Sequence, residues 1–84
     1  MEKARSSGEV RAGKAKLTTL SPAERTVLKL IARNRTTMQI AEELNIRPKT
    51  VENHRSNICR KLGVTGNNAL VRYALDHSEE LKVL

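Results

Sequence analysis

Aromatic residues are almost absent from this chain of 84 residues, which has no Trp, no Phe and a single Tyr. Its core must therefore be aliphatic, and folds that read nucleic acid by stacking bases on aromatic side chains, such as the OB-fold and the RRM, are disfavoured. The single cysteine, Cys59, excludes an internal disulfide and fits a reducing compartment. No apolar run approaches membrane-spanning length, and residues 1–16 lack the apolar segment of a secretory signal. We therefore expect a cytoplasmic protein without a membrane partner.

Positive charge is what the chain has in excess. Sixteen Lys and Arg stand against nine Asp and Glu, a formal net charge of +7. The excess is concentrated in residues 17–65, where nine basic and four acidic side chains leave a net +5, whereas residues 66–84 carry a net −1. A basic body indicates a polyanionic partner, although solubility alone also produces basic surfaces.

Residues 1–19 and 79–84 are expected to lie outside the folded domain. The first segment contains Ser, Gly and scattered charges without helical or strand periodicity, which predicts a flexible basic linker or tail. A basic arm that lies on DNA is the alternative for this segment. The last six residues are expected to fray.

The region between these two segments contains residues that typically begin or end helices. Ser21 is the predicted N-cap of a first helix, with Pro22 in its first turn and Glu24 completing a capping box. Thr36 and Gln39 repeat the capping box at a second helix. Gly63 is the predicted stop of a third helix.

The stretch Thr37–Leu62, TMQIAEELNIRPKTVENHRSNICRKL, predicts a helix, a tight turn and a second helix. Apolar residues recur on one face of each helix: Ile40, Ala41 and Leu44 on the shorter one, Val51, Ile58 and Leu62 on the longer one. Two helices joined this way, the second rich in Lys and Arg, have the plan of a DNA-binding helix-turn-helix. The sequence therefore predicts an all-α fold, a compact four-helix domain over residues 20–78, with a third helix over about Pro48–Leu62 and a fourth over about Asn67–His77.

The third helix has a polar face opposite its apolar one. Projected at about 100° per residue, Lys49, Asn53, Ser56 and Arg60 fall roughly opposite the core, with Glu52 and Asn57 beside them. A helix that enters the major groove needs short hydrogen-bonding groups for base edges and cations for phosphates. Asn53 suits adenine, and Glu52 suits the amino group of cytosine. A solvated face with a Glu52–Arg55 ion pair is the alternative interpretation.

No motif in the chain predicts an enzyme, a cofactor site or a metal site. Cys59 lies five residues after His54, about 140° around the helix, and His77 is distant, so these side chains lack metal-ligand spacing. No Gly-rich phosphate loop and no nucleophile motif is present. We therefore expect no enzymatic activity and no bound cofactor or metal.

The blocks LSPAERTVLKLIA, IAEELNI, KTVENHRSNICRKLGV and LVRYAL resemble the LuxR-type helix-turn-helix, also called the NarL/FixJ type, over about residues 20–77. The resemblance implies a four-helix output domain of a bacterial transcription regulator. Its third helix would enter the major groove of double-stranded DNA, and its fourth would form a homodimer on DNA at inverted half-sites. It also implies a two-component response regulator, with an N-terminal receiver domain in the full-length protein and RNA polymerase as a partner. Because residues 1–19 cannot hold a receiver, we expect an excised output domain rather than a small stand-alone regulator.

Three groups of site residues follow from the projection and the resemblance together. The expected base-reading residues are Glu52, Asn53 and Ser56. The expected phosphate-contacting residues are Thr36, Thr37, Arg47, Lys49, Thr50, Asn57 and Arg60. Val71 and Leu75, from the broad apolar arc of the fourth helix, are the expected dimer contacts. Two departures from the family pattern stand out: Arg47 replaces the Ser or Thr that often caps the third helix, and Met38 replaces a frequent Lys.

Two other functions remain open from the sequence. One is the promoter-reading region of an alternative sigma factor, although LVRYAL after Gly63 favours the LuxR type. The other is a protein-interaction or dimerisation module that does not bind DNA, whose function would not depend on Lys49 or Arg60.

Overall fold

Helix boundaries in the computed structural model, which describes residues 17–84, follow the capping signals of the sequence. Five α-helices have both ends within that range: α1 (Pro22–Ala32), α2 (Thr37–Leu44), α3 (Pro48–Leu62), α4 (Asn67–Asp76) and α5 (Ser78–Lys82). This part of the chain contains no strand, so the predicted all-α fold is confirmed. Most of the predicted linker, residues 1–16, lies outside the described residues.

Reciprocal capping boxes begin α1 and α2, as predicted. The Ser21 backbone N–H donates to Glu24 Oε1 at 2.9 Å, and the Glu24 N–H donates to Ser21 Oγ at 3.2 Å. Thr36 and Gln39 repeat the arrangement at 2.9 and 3.1 Å. Arg47 precedes α3 without a side-chain cap, which agrees with the cap expected to be lost there.

The first three helices end in the same way, on a residue in the left-handed conformation. Asn34, Asn45 and Gly63 have φ values of 67°, 58° and 72°. The N–H of the following residue then bonds to a carbonyl five residues back, at 3.1 Å after α1, 2.9 Å after α2 and 3.0 Å after α3. These Schellman bonds satisfy carbonyls that the helices leave unpaired. They also turn the chain sharply, which sets α2 against α3.

Helix α1 lies at the centre of the fold and packs against α3, α4 and α5, while α2 packs against α3. The core contains only aliphatic side chains, as the lack of aromatics requires. Its buried members are Leu17, Leu20, Val27, Leu28, Leu30, Ile31, Ile40, Ala41, Val51, Ile58, Leu62, Leu70, Ala74 and Leu81. The predicted apolar faces of α1, α2 and α3 all contribute to it.

The expectations for the two ends of the folded domain are wrong. Leu17, placed in the flexible linker, is fully buried in the core. Residues 79–82, expected to fray, belong to α5, a fifth helix in a fold expected to have four. Leu81 is only 2% exposed, because α5 folds back onto α1 and α4. Burial of these leucines provides the free energy that orders both short segments.

The carboxylate of Glu24 joins the start of α1 to the end of α3. Its Oε1 accepts both from Ser21 and from Lys61 Nζ, which lies 2.8 Å away. Lys61 Nζ also lies 3.5 Å from the Thr19 carbonyl oxygen. Burial raises the pKa of Glu24, but the hydrogen bonds from Lys61 and Ser21 and the Lys61 charge outweigh it, so the pKa lies below its usual value.

Replacing Glu24 by Gln should lower the free energy of unfolding by about 1–3 kcal/mol near neutral pH, because Ser21 and Lys61 lose a charged acceptor in a buried site. Since the folded-state pKa is lowered, this stabilisation is present above the unfolded pKa and is lost as the pH falls through the folded pKa. Urea unfolding of both proteins at about pH 7 and about pH 3 measures this, and the difference should shrink at the lower pH. Glu79→Gln, which removes an exposed pair with Lys82, is the matched control. Equal losses of unfolding free energy for Glu24→Gln and Glu79→Gln would contradict a stabilising role for the buried Glu24 carboxylate.

Candidate nucleic-acid interface

Helix α3 presents the polar face that its sequence predicts. Val51, Ile58 and Leu62 anchor it in the core. On the other side Lys49, Glu52, Asn53, Ser56 and Arg60 are exposed, while Thr50 and Asn57 are half-buried at its edges. We call the five exposed residues the outer face of α3. All three expected base-reading side chains lie on it.

Contacts at both ends of α3 position the outer face. Its start follows the Asn45 turn, where the Ile46 N–H bonds to the Ala41 carbonyl and the half-buried Ile46 side chain packs against the core. Its last turn is tied to α1 by the Lys61–Glu24 pair. Short side chains such as Asn53 depend on this positioning, because they reach a base edge only when the backbone lies at the right depth.

The charged phosphate contacts expected from the sequence lie at both ends of α3, and two of the neutral ones lie at the start of α2. Arg47 and Lys49 are exposed around the start of α3, and Arg60 is exposed in its last turn. Thr36 and Thr37 lie at the start of α2. The Thr36 N–H and hydroxyl oxygen are already used in the capping box, so this residue has only its hydroxyl proton left to donate.

A cleft of about 460 Å³ lies beside the outer face. It is lined by Thr37 of α2, by Glu52, Arg55, Ser56 and Cys59 of α3, and by residues 64–67 of the turn into α4. Arg55 points to that turn, with Nη2 3.5 Å from Asn67 Oδ1, rather than pairing with Glu52. Sequence projection of α3 did not single out Arg55, Thr65 or Asn67, because the turn that brings them together is set by tertiary packing.

The described residues contain one cysteine and no candidate metal cluster. Cys59 is a half-buried free thiol whose pKa is raised by burial, against the opposing charge of Arg55. The described residues contain no group of three or more His, Cys, Asp or Glu side chains that could hold a metal ion. No helix among them is long and apolar enough to cross a membrane.

Helix α4 divides its apolar arc between the core and the surface. Leu70 and Ala74 are buried, as predicted. Leu75 is 54% exposed, one of three large apolar side chains that are exposed among the described residues, with Met38 and Val83. Val71, one turn earlier, is half-buried and packs against the core, so it is less exposed than expected.

Comparison with known proteins agrees with this geometry. The family model "Bacterial regulatory proteins, luxR family" matches residues 18–74. Transcriptional regulatory protein MctR of Rhizobium johnstonii is 48% identical over 64 residues, covering 76% of this chain and 30% of the relative. Spore germination protein GerE of Bacillus subtilis is 48% identical over 52 residues, covering 62% and 70%. Transcriptional regulatory protein FixJ of Rhizobium meliloti is 42% identical over 62 residues, covering 74% and 30%.

The chain thus spans about a third of the length of MctR and FixJ, and a larger share of GerE. No solved structure matches it significantly. The family consists of DNA-binding transcription regulators and is not a family of enzymes. The structure contains a helix-turn-helix with a basic polar outer face, and the family match covers most of the described residues. The chain therefore belongs to the luxR family of bacterial regulatory proteins.

Proposed function

We propose that the chain binds double-stranded DNA sequence-specifically, with α3 in the major groove, as the output domain of a two-component response regulator. The observation that carries the proposal is the outer face of α3, where short polar side chains lie between cations on a helix fixed at both ends. Relatives named as transcriptional regulatory proteins, of whose length the matched stretch covers only 30%, support an additional domain, for which an N-terminal receiver is our proposal. RNA polymerase is the proposed downstream partner.

Glu52, Asn53 and Ser56 are the proposed base-reading residues. All three are exposed, and each has a side chain short enough to meet a base edge while the helix backbone lies in the groove. Asn can pair with adenine through both its amide oxygen and nitrogen, and Glu can accept from cytosine. Cations at both ends of the outer face can reach the phosphates that border the groove.

The seven phosphate-contacting residues expected from the sequence form the proposed rim of this surface. Arg47, Lys49 and Arg60 supply charge, and no ion pair with a carboxylate of residues 17–84 neutralises them. Thr50 and Asn57 supply neutral donors at the edges of the outer face, and Thr36 and Thr37 supply them at the start of α2. Charged members should set affinity and its salt dependence, whereas neutral members should set register.

Replacing Lys49 by Ala should weaken binding to specific and random duplexes alike and flatten the slope of log K against log salt by about one unit, because one phosphate contact is lost. Fluorescence anisotropy with labelled duplexes over a range of salt concentrations measures both quantities. Lys82→Ala removes the same charge from α5, which packs on α1 and α4, and serves as the control. Binding without salt dependence, or no binding to any duplex, would favour the protein-interaction module instead.

Replacing Asn53 by Ala should relax the preference at one base position and cost on the order of 1–3 kcal/mol against the specific site. Affinity for random DNA should barely change, since an uncharged base contact adds nothing there. Selection from a random duplex pool, with the native and variant proteins in parallel, gives the site and identifies the relaxed position. Equal losses on specific and random DNA would show that Asn53 does not read sequence.

A further inference from the structure

The cleft beside α3 shares an edge with the outer face. Glu52 and Ser56 belong both to the outer face and to the wall of the cleft. Thr37 at the start of α2 and Thr65 in the turn into α4 line it from two other elements. A DNA strand that borders the groove occupied by α3 would therefore pass directly over this cleft.

Arg55 is the only cationic side chain in the lining of this cleft within residues 17–84. Within residues 17–84 its guanidinium makes one hydrogen bond, the long 3.5 Å contact with Asn67 Oδ1, and no carboxylate of those residues forms an ion pair with it. A guanidinium has five N–H donors in a planar fork, so most of its donor capacity is unused here. Its positive charge also reaches Cys59 deeper in the cleft.

We propose that Arg55 binds a phosphate of the DNA backbone in this cleft, and that Asn67 holds the guanidinium toward it. The inference rests on the proposed duplex binding and adds Arg55 to the phosphate contacts; of the rim residues, Thr37 lines the same cleft. A planar fork matches the geometry of a phosphate with two parallel hydrogen bonds, which a Lys cannot reproduce. The Thr37, Ser56 and Thr65 hydroxyls lie in the same cleft and can donate to the same or adjacent oxygens.

The side of the cleft formed by Glu52 disfavours a bound phosphate. The Glu52 carboxylate lines it and would repel an anion placed nearby. The phosphate should therefore sit on the side of Arg55, Thr65 and Asn67, which leaves Glu52 directed to the bases. Arg55 already contacts the turn into α4 in the protein alone, instead of forming the Glu52 pair expected for a merely solvated helix.

The competing role for Arg55 is purely structural, a tie between α3 and the start of α4. Two substitutions separate the roles. Arg55→Gln removes the charge but keeps an N–H donor for Asn67, and Arg55→Lys keeps the charge but loses the planar fork. A structural tie predicts that Gln preserves DNA binding, whereas a phosphate contact predicts that it does not.

The experiment uses the duplex obtained by selection and a set of duplexes in which one phosphate at a time is replaced by an uncharged methylphosphonate. Arg55→Gln should weaken binding on the order of tenfold to specific and random duplexes, and flatten the salt slope by about one unit. At one phosphate position the methylphosphonate should weaken the native protein but not Arg55→Gln. Arg55→Lys should keep the salt slope and recover part of the affinity. Lys82→Ala should change none of these quantities.

The outcomes distinguish a failure of the proposed function from a failure of the Arg55 contact. If the native protein binds no duplex, the proposed function fails and the Arg55 contact fails with it. If the native protein binds, but Arg55→Gln keeps the native salt slope and the native response to every methylphosphonate, only the Arg55 contact is overturned. Circular dichroism checks that the variants remain folded. If Arg55→Gln unfolds, Arg55→Lys decides: the bidentate contact is overturned if this variant binds every duplex with native affinity, because loss of the planar fork should leave it weaker than the native protein.

Discussion

Leu75→Glu is expected to abolish cooperative filling of an operator with two inverted half-sites while leaving binding to a single half-site intact. Leu75 is 54% exposed on α4, one turn after the half-buried Val71, and we propose that this patch meets its own copy across a two-fold axis on DNA. A carboxylate placed at a small two-fold interface would face its symmetry mate and lose hydration, at a cost of about several kcal/mol. The half-sites should lie about one helical turn apart.

Mobility-shift titrations with duplexes of one and two half-sites measure this effect. Val83→Glu places the same charge on another exposed apolar residue, outside α4, and should preserve cooperativity. Val71→Glu should act like Leu75→Glu, although its half-buried position makes some loss of stability expected. Cooperative filling by both folded α4 variants would exclude this helix as the dimer contact.

Leu81→Ala is expected to destabilise the domain by about 2–5 kcal/mol, the usual cost of truncating a buried leucine. Leu81 is 2% exposed and comes from the five-residue α5, which packs on α1 and α4. A small domain has only about 5–15 kcal/mol of total stability, so this single change would unfold a large fraction of molecules on warming. Urea and thermal unfolding monitored by circular dichroism measure the loss.

Val83→Ala is the matched control for Leu81, because Val83 is 77% exposed two residues later and should contribute little. Similar small effects of both substitutions would mean that α5 does not pack in solution. The fraying expected from the sequence would then describe this segment better than a docked helix.

The sequence predicted α1 to α4 well because local signals dominate there. Ser21, Thr36 and Gly63 act through hydrogen bonds or backbone conformations within a few residues of themselves, so their roles can be read without a tertiary structure. The apolar faces of α2 and α3 repeat over enough turns to fix which side is buried.

The missed features depend on distant partners. A five-residue helix is too short for periodicity, so Leu81 has no local signal of burial, and Leu17 stands alone in a polar stretch. The outer face of α3 followed from projection, but the position of Arg55 depends on the turn into α4. The Glu24–Lys61 pair joins residues 37 positions apart, which no local pattern indicates.

The burial of Leu17 has a consequence for building chimeric regulators from this module. The family match begins at residue 18, so a splice placed at that boundary would remove a fully buried side chain from the core. A splice ahead of Leu17 keeps that side chain and the Thr19 carbonyl that lies near Lys61 of α3. An upstream domain joined there would be attached directly to a segment that is buried in the same core as α3, the helix that carries the outer face.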